Sequence, residues 1–572
     1  MKKKYVRWTL WTIASPFILF VILCILIYLP PIQNFLVDKA AVYASEATGM
    51  NISVGRISLS FPLNLVVTDV DAASPHNDTL LSVRRLQVNV QLLPLLKKQV
   101  EVDGISLQGA TVNSNDLIHG MKLNGTLGEL FISSHGVALD PETAIVNKVL
   151  LKDTDLSLCL NDTAAVDTAA SDTTYWKIIL QDIDLQNVSF ALDMPLDSLS
   201  LAASLGNAIL RDGLIDLHKS AYSLQTFRIK NGRVRYDSGK PLAADSLPSG
   251  LDPSHIALTD IGVKLDSLYY EGRNMKAIIS QFVLKERSGV EIVSATGRMV
   301  SNDKVLRVPS LKLETRDSYL ELNAAMDWNA LDFKGEGLVS ARLMADIGKP
   351  DVVRFMGRMD EKFVRQYPSE PLRIRTGIDG DLNKLKLTTL TAELPGALGL
   401  FARGELTHLT DSLLRGGDIT LEAETKDLKF VSTLAEGIEI PYGTRLEGKF
   451  TMAGAKMGTD LLLMQPEAQA VAAADTIPIT VYNDSISVAD DFKMERAARL
   501  FAKYDLSRDR YEADLAVNHF DLHQFMPADS LYTLSTRLKV EGEGFDFFSP
   551  RTYFNAEGGI DRFHYGRVPL SL

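Results

Sequence analysis

Residues 86–113 read LQVNVQLLPLLKKQVEVDGISLQGATVN, and apolar side chains fall on every second position: Leu86, Val88, Val90 and Leu92, then Val100 and Val102, then Ile105 and Leu107. A period of two puts these on one face of a strand and Gln87, Asn89 and Gln91 on the other. The alternation recurs in LLSVRRLQVNV, IILQDIDLQNVSFAL, LQTFRIKNGRVRYD, SYLELNAAMDW and YTLSTRLKVEGEG. Turn signals such as Asn231–Gly232, Asp379–Gly380 and Gly454 separate runs at short, irregular intervals, so strand-and-turn units repeat loosely rather than with a strict period. Helical interruptions are few. Residues 349–367 place Val352, Phe355, Met356, Met359 and Phe363 on one helical stripe, and 491–504 (DFKMERAARLFAKY) are compatible with a helix beside strand-like sequence.

Without strand–helix alternation a parallel sheet is excluded, and consecutive antiparallel strands are expected. Strands of about 12–15 residues with their turns, side by side at about 4.8 Å, make a sheet of roughly 150–200 Å, which must twist and coil. The fold class that follows is mainly β: a single N-terminal transmembrane helix, then an elongated, curled antiparallel β-sheet groove with few helices. The helices are too few to cover the concave face, so its aliphatic lining is expected to stay open along one side. A pair of ordinary sandwiches burying the same residues is the alternative. The candidate lining residues are Leu86, Val88, Val90, Val100, Val102, Leu320, Leu322, Leu534, Leu538 and Val540. A slip of one residue would turn each set outward.

The N-terminus adds a membrane. Lys2, Lys3, Lys4 and Arg7 precede a stretch from Trp8 to Val37 with no charged residue. The segment 8–30 is long enough to span a bilayer core of roughly 30 Å, with Trp8, Trp11 and Tyr28 at the interfaces and the basic tip, 1–7, in the cytoplasm. A cleaved signal would need a shorter apolar region and a small-residue site, and a lipoprotein site at Cys24 would need a small residue where Leu23 stands. A retained inner-membrane anchor is expected, with the body in the periplasm. Residues 31–50 place Ile32, Phe35, Leu36, Ala40 and Tyr43 at helical spacing ahead of Gly49, an amphipathic helix against the membrane or packing on the body. The body then divides into 51–348, a helical insertion at 349–368, and 369–572. Net charge is −12 with no basic stripe beyond the tip, which excludes nucleic acid as a partner. Only Cys159 lies outside the anchor, so no intrachain disulfide is expected and a buried thiol is the simple reading.

Chemistry is sparse. No phosphate-binding loop, nucleophile elbow or dinucleotide fingerprint is present, and no enzymatic activity, cofactor or metal is expected. His519 and His523 stand four apart, the spacing of a shared metal on a helix, but the Glu and third ligand of such a site are missing. Glu541 and Glu543 alternate on the polar face of a strand, where carboxylates are solvated. Asp followed by Ser or Thr and then an aliphatic, Met or Thr residue recurs, at Asp78, Asp162, Asp167, Asp172, Asp197, Asp245, Asp266, Asp411, Asp475, Asp484 and Asp529. Turn chemistry accounts for it; the triplet also resembles an O-glycosylation sequon of some Gram-negative bacteria, with candidate acceptors Thr163, Thr168 and Thr173 in a small, polar loop at 160–176.

The order of anchor, short helix, GRISLSFPLNLVVTDV and DTLLSVRRLQVNVQLLPLLKKQVEVDGISLQGATVN resembles the N-terminal region of the AsmA-like superfamily, and within it the TamB family of translocation and assembly module subunits. The match covers residues 1–113, and the later body in character. The resemblance implies a U-shaped β-groove anchored in the inner membrane, phospholipid acyl chains as cargo between the inner and outer membranes, and an outer-membrane Omp85/TamA-like partner reached through a C-terminal part. That part is not recognisable here, which would make these residues an N-terminal fragment. Two other roles fit the pattern: an assembly factor templating outer-membrane β-barrel clients on its strand edges, and an envelope tether with a conventionally buried core.

Overall fold

The structure is a computed structural model. It describes residues 50–60, 64–74, 79–90, 102–114, 121–139, 142–160, 176–239, 250–333, 337–357, 359–434, 438–466, 480–482, 485–487, 494–527, 529–546, 552–566 and 568–570, with Lys39, Ala41, Val42, Ser45 and Ser549. Segment 8–30, most of 31–50, Val100, Thr163, Thr168 and Thr173 lie outside the described residues. Among those described, no helix is long and apolar enough to cross a membrane.

The protein is mainly β, and its contacts divide it into two compact units. The first comprises Met1–Ser246, Asp252–Gly272 and Ile279–Arg287; the second comprises Leu247–Leu251, Arg273–Ile278 and Ser288–Leu572.

The first unit holds β1 (Asn51–Ser60), β2 (Asn64–Ala73), β3 (Thr79–Val90), β4 (Val102–Asn113), β5 (Met121–Leu139), β6 (Glu142–Leu160), β7 (Lys177–Met194), β8 (Leu199–Asp216), β9 (Ala221–Leu224), β10 (Thr226–Ser238) and β11 (His255–Glu271). Each strand pairs with the next in sequence, except that β10 lies beside β8 while the short β9 bridges β8 and β11. The expectation of an all-antiparallel sheet fails at one place: β6 and β7 run parallel, Lys148 opposite Asp182 and Leu156 opposite Phe190. A parallel pair needs a crossover of a dozen or more residues, and the chain between Leu160 and Lys177 supplies one.

Ten strands of this unit share a feature that period two does not contain. Val54–Ile57, Val67–Val70, Val83–Leu86, Leu107–Ala110, Leu127–Leu130, Leu151–Thr154, Leu185–Val188, Leu205–Ala208, Ile229–Gly232 and Leu258–Ile261 are tetrads whose mostly apolar ends flank polar or small residues. In a regular strand the two ends would point to opposite faces. Here Asp69, Gly109, Asp153, Asn187, Asn231 and Asp260 take left-handed φ values of 53°, 62°, 50°, 52°, 55° and 52°, a conformation that glycine adopts freely and Asn or Asp tolerate. The extra residue restores the phase. Val83 stands opposite Val70 and Ala110, and Leu86 opposite Val67 and Leu107, so both ends keep the same apolar company.

These residues also face one another from strand to strand. Gly55 lies opposite Asp69, Arg84 opposite Gly109, Gly128 opposite Asp153, and Asn187 and Asn231 flank Gly206. Glycine is required on the partner strands, because a Cβ at Gly55, Gly128 or Gly206 would stand only 2.9, 2.9 or 3.0 Å from the Cβ of Asp69, Asp153 or Asn231. Asn187 donates to Asp153 at 3.0 Å along the same line. Bulges bend the strands that carry them, so this row is a crease running across the sheet from β1 to β10.

After β12 (Asn274–Glu286), which supplies residues to both units, the second unit is an antiparallel meander. It runs through β13 (Glu291–Ser301), β14 (Val305–Thr315), β15 (Tyr319–Asp327), β16 (Leu338–Ile347), β17 (Leu372–Asp381), β18 (Lys384–Leu394), β19 (Leu398–Thr407), β20 (Gly416–Thr425), β21 (Arg445–Ala453) and β22 (Lys456–Pro466). A separate hairpin, β23 (Thr480–Tyr482) and β24 (Ser485–Ser487), precedes β25 (Met494–Asp505), β26 (Arg510–Asp521), β27 (Leu531–Glu543), β28 (Tyr553–Tyr565) and β29 (Val568–Leu570). Residues 491–504 therefore contribute a strand, β25, rather than a helix.

Short helices punctuate the strand ends: α1 (Trp328–Leu331), α2 (Lys349–Met356) and α3 (Glu361–Gln366). The single helix expected over 349–367 is thus two, broken where Gly357 takes a φ of 78°. The stripe divides accordingly. Phe363 is 1% exposed, packed with Tyr367, Leu394, Ala397, Leu428 and Phe430, and Val352 and Met359 lean on the same cluster, while Phe355 and Met356 are exposed. Asp351 pins α2 to the β14–β15 turn. Its buried carboxylate accepts from Thr315 Oγ1, from Ser318 Oγ at 2.6 Å and from Arg354 Nη1 at 3.0 Å. The tight clusters of this unit sit at strand ends, not on the faces of the sheet.

Candidate functional site: an uncovered apolar face

Residues directly opposite in a ladder share a face, so the registers trace that face across the second unit. Leu313, Leu320 and Ala345 stand in one row, and Leu311, Leu322 and Leu343 in the next. Farther along, Ala402, Leu421, Gly448, Leu461, Leu500, Leu515 and Leu538 form one row across β19 to β27. The reverse face of the same strands carries charge. Arg499 grips Asp460 through two hydrogen bonds of 2.9 and 2.6 Å, Arg375 pairs with Asp346 at 2.7 Å, and Arg445 with Glu447 at 3.2 Å. The Arg499 guanidinium holds the Asp460 carboxyl below the usual carboxylate range.

An aliphatic residue in the middle of a covered sheet is sealed by a second layer about 10 Å away. That is not the state of this face. Leu320, Leu322, Leu343, Leu421, Leu461, Leu500 and Leu515 are all half-buried, and Leu538 and Phe450 are exposed. Among the described residues no strand layer packs across the ladder; the β23–β24 hairpin approaches β19 and β20, where Phe401 on the charged face is buried. In the first unit Leu86, Val88, Leu107, Ile105, Leu130 and Ile132 face one another through β3, β4 and β5 and are likewise half-buried.

The structure places the candidate residues as follows. Leu86 and Val88 lie in the rows just named, and Val90 stands in register with Val102 beyond a bulge. Leu320 and Leu322 share the face with Leu343, while Leu538 and Val540 share it with Leu515 and Ala513, and Leu534 stands opposite Phe520 and Phe563. They occur as separate patches in two units. His519 lies in β26 and His523 in a following turn capped by Asp521, so no helix brings the imidazoles together; no metal-ligating cluster occurs among the described residues.

Near one edge of the second unit the face deepens. A trough of about 540 Å3 crosses β19 to β26, with Leu406, Ile419, Phe450, Met452 and Met457 among its walls and Ala502 and Ala513 in its floor. Tyr504 and Tyr511 stand opposite each other at its mouth. Phe545 stacks on Tyr511 at 4.9 Å between ring centres and lies 5.9 Å from Tyr504. The Tyr504 hydroxyl donates to Asp509, which raises its pKa.

The turns along this edge bind one another. The N–H of His408 reaches Asn383 O at 3.0 Å, Gly454 reaches Arg415 O at 2.6 Å, Leu506 reaches Ala455 O at 2.9 Å and Gly544 reaches Asp509 O at 2.9 Å. Leu413 and Leu414 project from this hem at 84% and 63% exposure. The Leu–Leu pair in TDSLLRG and the first phenylalanine of GFDFFSP, Phe545, are visible in the sequence; only the alternation of turns between two edges brings Phe545 to the trough and the leucines to the same hem. No family model and no curated protein matches the chain.

Proposed function

We propose that this chain is a carrier of phospholipid acyl chains, anchored in the inner membrane through residues 8–30 and working in the periplasm toward the outer membrane without a catalytic residue. The observation that carries the reading is the half-buried state of aliphatic rows such as Leu421–Leu461–Leu500–Leu515 in the middle of a sheet. Uncovered, such rows lose the hydrophobic stabilisation a second layer would give; an acyl chain laid over them restores it, at about 0.8 kcal/mol for each methylene withdrawn from water. Rows of like chemistry offer successive sites of similar energy, which is what sliding requires. Head groups stay in solvent. The Omp85-type outer-membrane partner belongs to the same proposal.

Templating of β-barrel clients, one of the two other roles the sequence admits, would use strand edges, where backbone groups are free to pair. The apolar face offers a peptide backbone no partner, and an unpaired amide costs free energy there. Native mass spectrometry of the full chain, purified in mild detergent, tests the reading. Phospholipid should co-purify and be lost in Leu500→Asp. Protein that carries no lipid and takes none from vesicles would overturn it.

A further inference from the structure

We propose that the trough between β19 and β26 is a seat in which a single acyl chain comes to rest, reached from the turn-lined edge beneath Phe545. The inference rests on the carrier reading and adds to it a fixed station on the path. The neighbouring row sets leucine against leucine at Leu461, Leu500, Leu515 and Leu538; here Ala502 and Ala513 lower the floor while Phe450 and Met457 raise the sides. A moving chain is held where its contacts are most numerous, because dispersion accumulates atom by atom.

The dimensions suit one chain. Six strands at about 4.8 Å give the trough a run of about 24 Å, and one leaflet of a roughly 30 Å bilayer core is about 15 Å deep. The volume, about 540 Å3, is that of some eighteen groups the size of water at about 30 Å3 each. The lining is also selective by chemistry. A peptide lying on this face would leave its backbone amides unpaired, whereas an acyl chain has none. The aromatic mouth fixes the point of access, since Tyr504 is tied to Asp509 while Phe545 is exposed and rests on the two tyrosine rings.

The test uses the full chain and a phosphatidylethanolamine carrying a diazirine on one acyl chain, photolysed and mapped by peptide mass spectrometry. Label should concentrate on β20 to β26. Ala513→Trp, which fills the floor, should cut that labelling about tenfold, the equivalent of ~1.4 kcal/mol, and leave labelling near Leu322 and Leu343 unchanged. Ala502→Leu, a smaller intrusion from β25, carries the same test if the tryptophan variant unfolds. Label spread evenly along the face, or indifferent to both substitutions, overturns the seat and leaves the carrier reading standing. No label at either place overturns the carrier reading itself.

Discussion

At Asn231 the backbone sits at a φ of 55° in the middle of β10. Asn231→Val should cost about 1–2 kcal/mol, the penalty of a branched residue in the left-handed region, whereas Asn231→Gly should be nearly neutral; urea midpoints of the two variants check it. Asn231–Gly232 has the composition of a hairpin turn and was expected to be one, as was Asp379–Gly380. Both lie inside strands, and only Gly454 turns the chain. An Asn–Gly pair signals a left-handed backbone; whether that makes a turn or a bulge is decided by neighbouring strands. A second residue-scale prediction concerns Glu424 and Lys426, both buried, with Glu424 Oε2 and Lys426 Nζ lacking hydrogen-bond partners among the described residues. Burial pushes the Glu424 carboxyl up, against the pull of Arg445 and Lys426, and pushes the Lys426 ammonium down. A carboxyl raised in the folded state binds its proton more tightly there, so its contribution to stability grows as pH falls through the folded value and is complete below the unfolded one. Glu424→Leu with Lys426→Met should match or exceed the native stability at neutral pH, and Lys426→Met alone, which leaves the Glu424 carboxyl buried, should be the less stable of the two. Thermal unfolding from pH 7 to pH 4 reads both.

At the scale of elements, the pieces that look most like a core are the caps on the strand ends. Phe363→Ala should cost about 3–5 kcal/mol, because its ring meets Phe430 edge-on at 5.6 Å and Tyr367 at 5.6 Å; chemical unfolding measures it. Strands were legible because period two is local and repeated. The helical stripe over 349–367 was legible in part, since Val352, Met359 and Phe363 do pack inward but Phe355 and Met356 stay exposed and the break at Gly357 was not foreseen. Residues 491–504 admit either reading on their own, and the Leu461–Leu500–Leu515 row resolves them as a strand. The parallel pairing of β6 with β7 had no local signal, for nothing in either strand records which way its neighbour runs.

For each unit as a whole, the deciding quantity is whether a layer covers the aliphatic face. Leu500→Asp tests it through stability alone. In a sealed interior an unpaired charge costs several kcal/mol or more, but on a face with solvent above it the carboxylate stays hydrated, and a loss of about 1–2 kcal/mol is expected in thermal unfolding. Alternation told which residues share a face, and the scarcity of helices told that little was available to cover it. What alternation could not tell was the change of phase within ten strands of the first unit, because the tetrads VRRL, LQGA, LQNV and LTDI look like lapses in the pattern when read singly. Aligned strand against strand they are its most regular feature.

The crease has a consequence for how such a chain tolerates changes in length. Removing one residue from a strand ordinarily turns half of it inside out. Removing Asn187 would convert LQNV into LQV, leaving Leu185 and Val188 two positions apart and on one side, so the greasy and charged surfaces survive and only the bend is lost. Along that line the molecule can shed a residue and merely become flatter.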